Sequence, residues 1–234
     1  MTLPTGFART ADAPAPLPLH VVDRGGFATW RDAQPPALQA WLAAQRFDGN
    51  AGTTVSWANA DGGLAGAAIG IGDPLDPFAY AHAPLALPGG DWQAVATRDE
   101  DAQRALQLGW GFGCYRFDRY KANKRAPARL VADTFDAEAL DVLAACVQVR
   151  DLVNTPTEHM GPDELEAATR ALAERHGAQL EVVAGDDLLA RNYPAIHAVG
   201  RASHRAPRII ELAWGDPADP HVALCGKGVC FDTG

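Results

Sequence analysis

Residues 221–234 read His-Val-Ala-Leu-Cys-Gly-Lys-Gly-Val-Cys-Phe-Asp-Thr-Gly. The apolar run Val222–Cys225 predicts a short buried strand, and the glycines after it predict a loop. That loop carries Lys227 and, five positions later, Asp232. Strands alternate with helices in the region before it, which predicts a mostly parallel sheet covered on both faces. Since ligands bind beyond the carboxyl ends of parallel strands, we expect this loop to line a binding site.

The lysine and the aspartate of this loop can both serve as metal ligands. An aspartate at the end of a buried strand offers two oxygens and can bridge two cations. A lysine ligates a metal only as a neutral amine, which requires a pocket of low dielectric and a competing cation. The alternative is an exposed loop charge at Lys227 and a turn-forming aspartate at Asp232. Two ligands do not complete a metal site, so a site here needs further ligands from beyond residue 234.

Motifs of several other enzyme and binding classes are absent from the sequence. It contains no Walker loop, no elbow serine and no His-Glu-x-x-His zinc motif, and residues 70–74 lack the third glycine of a dinucleotide loop. The cysteines, at positions 114, 146, 225 and 230, form no Cys-x-x-Cys pair, so a zinc knuckle is not supported. Scattered cysteines in a chain of this length indicate reduced thiols in a cytosolic protein.

Composition and charge favour a folded, acidic protein. Hydrophobic residues make up 47% of the 234, the formal net charge is −9 and the pI is about 5.1. This balance argues against nucleic acid or an anionic membrane as the main partner, because phosphate binding needs clustered positive charge. Five cations and three aromatics in residues 115–125 are better explained as a solvated connector than as a nucleic-acid patch. The chain has neither the apolar core of a signal peptide nor a run of the ~18 apolar residues that span a membrane, so we expect a cytoplasmic protein.

The first part of the chain, up to residue 133, predicts an α/β region. Residues 1–18 are rich in proline and alanine, and we expect them to be frayed. Thr53–Trp57 and Leu64–Ile71 flank an Asp-Gly-Gly turn and predict a β-hairpin. The acidic residues 99–101 predict the start of a helix, because acidic side chains interact favourably with the helix dipole there. Alternate glycines at positions 109 to 113 of that helix indicate close packing against a neighbouring element.

The second part of the chain, from residue 134, has a more regular pattern. Asp136–Val153 predicts a long helix with apolar residues at helical spacing from Val142 to Val153, and we interpret it as the connector between two domains. Gly161-Pro162-Asp163-Glu164 predicts the start of the next helix, with proline at the first position and acidic residues in the first turn. The apolar run Arg208–Trp214 predicts a strand.

Several of these segments resemble one known enzyme family. Gly226–Gly234 resembles the metal-binding loop of the leucyl aminopeptidases, which are also called cytosol aminopeptidases. Val149–Pro156 resembles the end of the helix between the two domains of that family and the turn after it. Ala198–Ser203 and Pro207–Leu212 are similar to further segments of the family. These matches occur in the family's order and cover roughly residues 136–234, whereas the N-terminal part is similar only in general character.

The resemblance implies an N-terminal α/β domain like a macro domain over residues 1–133. Residues 134–234 would then hold the connecting helix and the first part of a mostly parallel α/β/α catalytic domain. It also implies a homohexamer with two divalent ions, Mn²⁺ or Zn²⁺, in each active site, where Lys227 would ligate one ion and Asp232 would bridge both. The implied reaction is the metal-dependent release of an N-terminal residue, often leucine, from a peptide substrate. No further catalytic or cofactor-binding residue is assigned within the chain.

The sequence departs from the family's pattern at two positions and in its extent. Cys230 and Thr233 stand where many members have threonine and serine, and neither side chain is a ligand in that pattern. The family's second lysine, its further acidic ligands and its arginine-containing segment lie downstream of residue 234. We therefore expect the N-terminal portion of a longer aminopeptidase, truncated inside the catalytic domain and inactive alone. The alternatives are a non-catalytic module that binds a nucleotide or ADP-ribose, and an assembly role.

Overall fold

The computed structural model describes residues 2–95 and 99–230, and its contacts divide the chain into two units, Met1–Gln148 and Val149–Gly234. The strands of the first unit are β1 (Phe7–Arg9), β2 (Leu17–Asp23), β3 (Thr54–Ala58), β4 (Leu64–Ile71), β5 (Asp91–Ala94) and β6 (Arg129–Ala132). Its helices are α1 (Phe27–Asp32), α2 (Pro36–Ala44), α3 (Ala83–Ala86), α4 (Glu100–Cys114) and α5 (Ala137–Asn154), which runs on into the second unit. The second unit continues with α6 (Pro162–His176), β7 (Gln179–Ala184), α7 (Asp187–Ala190), α8 (Pro194–Gly200) and β8 (Arg208–Ala213).

The first unit is organised around a six-stranded sheet in the order β1-β6-β5-β2-β4-β3. All neighbouring strands pair in parallel except β3 and β4, which form the predicted antiparallel hairpin with Thr54 opposite Ile69. Leu19 of β2 lies opposite Ala67 of β4, and both side chains are fully buried in the core. The fold class predicted from the sequence, a mostly parallel α/β sheet with helices, is confirmed.

The N-terminal residues contribute an edge strand, and the expectation that residues 1–18 are frayed is wrong. Strand β1 pairs in parallel with β6, with Phe7 opposite Leu130. Phe7 is 5% exposed, and its ring packs edge-on against Phe135 at a centroid distance of 5.2 Å. Proline and alanine dominate the composition of this segment, but the burial of one aromatic ring and the pairing of the backbone with β6 hold it in place.

Helix α4 begins at the acidic residues that predicted it, and its middle lies in the core. The carboxylate of Asp99 caps the helix by accepting a hydrogen bond of 2.8 Å from the backbone N–H of Ala102. Trp110 is fully buried, and its indole N–H donates to the carbonyl oxygen of Ala128 at 3.2 Å. The Asp99 cap therefore fixes the start of the helix, and the buried indole of Trp110 fixes its middle.

The alternate glycines of α4 allow close packing, as the sequence predicted. A Cβ atom at Gly109 would lie 1.8 Å from the carbonyl oxygen of Pro77, and one at Gly111 would lie 2.2 Å from Cδ2 of Leu143 in α5. A Cβ at Gly113 would come within 2.1 Å of another carbonyl oxygen. Any side chain at these three positions would push the neighbouring elements away from the helix.

Gly70, the first glycine of the segment compared above with a dinucleotide loop, has a packing role. It lies near the end of β4, where its backbone N–H donates to the carbonyl oxygen of Thr53 at 2.8 Å. A Cβ atom at this position would lie 2.1 Å from the carbonyl oxygen of Asn50. The close approach of two backbone segments therefore explains why a glycine stands here.

His20 of β2 is half-buried in an aromatic cluster. Its Nδ1 atom accepts a hydrogen bond of 3.0 Å from the indole N–H of Trp30, and its ring lies 5.8 Å from that of Trp57. An accepting Nδ1 requires the neutral imidazole with its proton on Nε2. Burial lowers the pKa of His20 below the 6.5 of an exposed histidine.

We expect His20 to make the first unit less stable as the pH falls below about 6.5. Because the pKa of His20 is lower in the folded state, the unfolded chain binds the proton first. The stability that the neutral ring contributes is therefore fully present above the unfolded pKa and is lost as the pH falls through the folded pKa. Urea unfolding of the wild type and of His20→Gln between about pH 5 and pH 7.5 measures the effect. Equal pH slopes for the two proteins would contradict a neutral, indole-accepting imidazole.

The second unit contains the helix predicted to start at Gly161-Pro162. The carboxylate of Glu164 accepts a hydrogen bond of 2.8 Å from the backbone N–H of Gly161, and Gly177 ends α6 in the left-handed conformation with φ 65°. The mostly parallel sheet lies in the first unit. In the described part of the second unit, strands β7 and β8 pair antiparallel.

The strand predicted at Val222–Cys225 is wrong, because residues 221–230 form no regular secondary structure. Val222 is 84% exposed and Leu224 is 94% exposed. A strand needs a neighbour for its backbone N–H and C=O groups, and no strand of the described part of the chain pairs with this segment. The loop that carries Lys227 consequently does not begin at the carboxyl end of a described strand.

Candidate metal centre

The segment Gly226–Cys230 is irregular, and Lys227 lies exposed within it. A Cβ atom placed at Gly226 would meet nothing within 4 Å, so the backbone before the lysine is open. Asp232, the second predicted ligand, lies outside the described residues. The structure thus places Lys227 on an accessible surface of the second unit.

The residues that follow the lysine approach the first turn of α6. A Cβ atom at Gly228 would lie 3.1 Å from Cδ2 of Leu165. Cys230 is half-buried. Burial raises the pKa of the Cys230 thiol, the positive charge of Arg205 opposes that rise, and the carboxylate of Glu164 adds to it. The segment therefore becomes partly enclosed at Cys230.

Arg205 links three parts of the second unit at the N-terminus of α6. Its guanidinium donates to the carbonyl oxygen of Thr157 at 2.7 Å and to that of Glu158 at 2.8 Å, and it lies 3.6 Å from the carboxylate of Glu164. Gly161 leaves room for it, since a Cβ atom there would lie 2.1 Å from Nη1. Sequence reasoning missed Arg205, because contacts between distant positions leave no periodic pattern. The sequence signal that relates to Arg205 is Gly161, a glycine at the N-cap position, where a side chain with an oxygen acceptor is usual.

A second arginine network joins α6 to β8. Arg208 pairs with Asp163 and with Glu166, and Glu166 also accepts a hydrogen bond of 2.8 Å from Arg170. The hydrogen bonds from Arg170 and Arg208 lower the pKa of Glu166. These side chains line a cavity of about 360 Å³. Because they are paired with one another, we interpret the cavity as part of the junction between helix and strand.

The described residues do not form a metal site by themselves. Within 2–95 and 99–230, no three His, Cys, Asp or Glu side chains come together in a way that could hold a metal ion. Proteins bind metal ions through several ligands at once, and Lys227 is the one predicted ligand in the described part of the chain. A complete site therefore requires ligands from outside the described residues, with Asp232 as the predicted one.

The fold and the loop together define a two-unit α/β protein whose second unit exposes a lysine between glycines. None of the described helices is long and apolar enough to cross a membrane. The sequence-family model of the M17 aminopeptidase N-terminal domain matches residues 17–133. The family model of the cytosol aminopeptidase catalytic domain matches residues 147–234. The chain belongs to the M17 cytosol aminopeptidase family, whose members are metal-dependent exopeptidases. The family predicted from the sequence is confirmed.

Individual relatives agree with the family match. A probable cytosol aminopeptidase of Leifsonia xyli is 33% identical over 216 residues, which cover 84% of this chain and 44% of the relative. The crystal structure of the cytosol aminopeptidase from Coxiella burnetii matches with a TM-score of 0.79 and 31% identity, over 88% of this chain and 46% of that one. The bottromycin maturation enzyme BotP, in complex with Mn, matches in fold with a TM-score of 0.68 and 24% identity, over 87% of this chain and 46% of BotP. The chain spans less than half the length of these proteins.

Proposed function

We propose that the whole protein containing this chain is a metal-dependent aminopeptidase that releases N-terminal residues, often leucine, from peptides. The observation that carries the proposal is the pair of family matches, with the N-terminal domain before the catalytic domain as in an M17 enzyme. The Gly-Lys-Gly segment at 226–228 lies inside the catalytic match. Relatives whose sequences match most of this chain carry the name probable cytosol aminopeptidase.

We propose that each active site uses two divalent ions, Mn²⁺ or Zn²⁺, with Lys227 as a ligand of one and Asp232 as the bridge between both. The metal dependence of the family supports the presence of metal ions, and the Mn in BotP supports manganese. The two ligands rest on the resemblance of Gly226–Gly234 to the family's metal-binding loop. Such ions polarise the scissile carbonyl and activate water. The contribution of the chain itself is an exposed lysine between two glycines, with an open backbone before it. We propose that the 234 residues are inactive alone, because Lys227 and Asp232 are the two ligands proposed within them.

We also propose that residues 1–133 form a macro-like domain, and that residues 134–234 form the connecting helix and the first part of the catalytic domain. This division keeps α5 in one piece, and it lies in the interval between the two family matches. We further propose a homohexamer, which the family resemblance implies, and a cytoplasmic location, which the name of the relatives supports. The proposed substrate is a peptide with a free N-terminus.

Hydrolysis of leucine p-nitroanilide in the presence of Mn²⁺ tests the proposed activity. We expect chelator-sensitive turnover by the whole protein and none by the 234-residue chain. N-acetyl-leucine p-nitroanilide is the matched control, because acetylation removes the free amine that an aminopeptidase must bind, and we expect no turnover of it.

Two results would contradict the proposal in different ways. Chelator-sensitive turnover by the isolated chain would show that its site is complete, against the partial ligand set. A whole protein that cleaves no substrate but binds ADP-ribose at micromolar concentration would favour the non-catalytic module over the enzyme.

A further inference from the structure

Beside the N-terminus of α6, the guanidinium of Arg205 donates hydrogen bonds to the carbonyl oxygens of Thr157 and Glu158. We call this contact the Arg205 clamp. Both hydrogen bonds have good lengths, 2.7 and 2.8 Å, and the Arg205 side chain is 22% exposed. Hydrogen bonds from a charged donor are stronger than neutral ones. The clamp therefore fixes the guanidinium beside the first turn of α6.

The loop that carries Lys227 meets the rest of the second unit at this place. Gly228 comes close to Leu165 in the first turn of α6, at 3.1 Å from a Cβ position to Cδ2. Cys230 is half-buried, whereas residues 221–229 are exposed. The described contact of the loop thus lies at the helix start beside the clamp.

We infer that Arg205 is a positioning residue for the segment Gly226–Cys230, which carries Lys227. Arg205 acts through the first turn of α6, beside which the clamp holds it and which Gly228 approaches at Leu165. Lys227 directly precedes Gly228 in the sequence, so the position of Lys227 depends on that contact. The inference rests on the proposed function only for the role of the loop as a metal-binding loop, whereas the contact itself does not depend on any activity.

A lysine-specific protease tests the contact on the 234-residue chain. The lysines of the chain are Lys121, Lys124 and Lys227. Cleavage after Lys227 reports how firmly the loop is held, and cleavage at the other two, in the first unit, is an internal reference. For Arg205→Gln we expect cleavage after Lys227 to become roughly tenfold faster, the effect of losing about one charge-assisted hydrogen bond, with the reference sites unchanged.

Two further variants separate the clamp from charge, and the far-UV circular dichroism of each variant reports whether the second unit stays folded, which the reference sites in the first unit do not. Arg201→Gln removes the same charge from an exposed position four residues earlier, and we expect no change at Lys227. Gly161→Ala keeps the charge but displaces the guanidinium, because the new Cβ would lie 2.1 Å from Nη1, and we expect the same acceleration as for Arg205→Gln. Unchanged cleavage after Lys227 in Gly161→Ala and Arg205→Gln would overturn the inference. If Arg205→Gln also speeds cleavage at the reference sites, the rate of cleavage after Lys227 in Gly161→Ala decides whether the inference stands.

In the whole protein, equilibrium dialysis against Mn²⁺ separates this inference from the proposed function. We expect roughly tenfold weaker Mn²⁺ binding by Arg205→Gln and an intermediate effect for Arg205→Lys, which keeps the charge but lacks the fork of donors. At saturating Mn²⁺ we expect kcat to return close to the wild-type value, which a general loss of structure would not allow. Equal Mn²⁺ binding by the wild type and Arg205→Gln would overturn the positioning role. A wild type that binds no Mn²⁺ would overturn the proposed function and leave the proteolysis result standing.

Discussion

Replacing Trp110 by alanine lowers the free energy of unfolding of the first unit by about 4 kcal/mol. Trp110 is fully buried in the middle of α4, and its indole N–H bonds to the carbonyl oxygen of Ala128. The loss combines the apolar surface of the indole, the cavity left behind and a carbonyl that loses its partner in the interior. Urea unfolding followed by far-UV circular dichroism measures it without relying on tryptophan fluorescence.

The matched control is Trp41→Ala. Trp41 belongs to the same unit and also donates its indole N–H to a backbone oxygen, that of Ser56 at 3.0 Å, but it is 43% exposed. We expect a loss of about 1 kcal/mol, the value of one ordinary hydrogen bond. Equal losses in the two variants would show that the burial of Trp110 is not the cause and would contradict the core described around α4.

The elements that the sequence predicted well are those with local causes. The hairpin of β3 and β4 follows from two β-prone runs around a turn, and the start of α4 follows from its acidic first turn. The glycines of α4 were informative because glycine destabilises a helix interior, so its repeated use there indicates a packing need. Each of these signals lies within a few residues of the element that it predicts.

The elements that the sequence missed depend on distant partners. Strand β1 exists because β6, far along the chain, pairs with it. The run Val222–Cys225 has the composition of a strand but no described neighbour to pair with. In α5 the helix was predicted, yet the valines that marked its spacing are not its buried side: Val142 and Val149 are 42% and 58% exposed, and Ala139 and Leu143 are buried instead. Periodicity identifies a helix, but the neighbouring elements decide which of its faces is covered.

The residues of the candidate site also divide into those with a local sequence signal and those that depend on distant partners. Lys227 stands out in the sequence because glycines flank it and because its segment resembles a family loop. Arg205 has no such signal, since its partners Thr157 and Glu158 are more than forty positions away in the chain. The sequence alone suggests Lys227 as a ligand, and this stays a prediction, whereas the residue that we infer positions its loop becomes visible only in the folded unit.

In the whole protein, replacing Lys227 by alanine lowers kcat/KM for leucine p-nitroanilide by roughly a thousandfold. This corresponds to about 4 kcal/mol of transition-state stabilisation, the order expected when a metal ion that polarises the reacting carbonyl is lost. The metal content of the purified protein should fall together with the activity. Lys124→Ala, at an exposed position in the first unit, is the control and should keep both.

Lys227→Arg distinguishes a metal ligand from a positive charge. The guanidinium of arginine stays protonated and has no acceptor or lone pair to offer, so it cannot ligate a metal ion in place of a neutral amine. If Lys227 is a ligand, Lys227→Arg is as inactive as Lys227→Ala and loses metal to the same extent. An arginine variant that keeps most of the activity and its metal would contradict ligation and would assign Lys227 an electrostatic role, because the charge alone would then be sufficient.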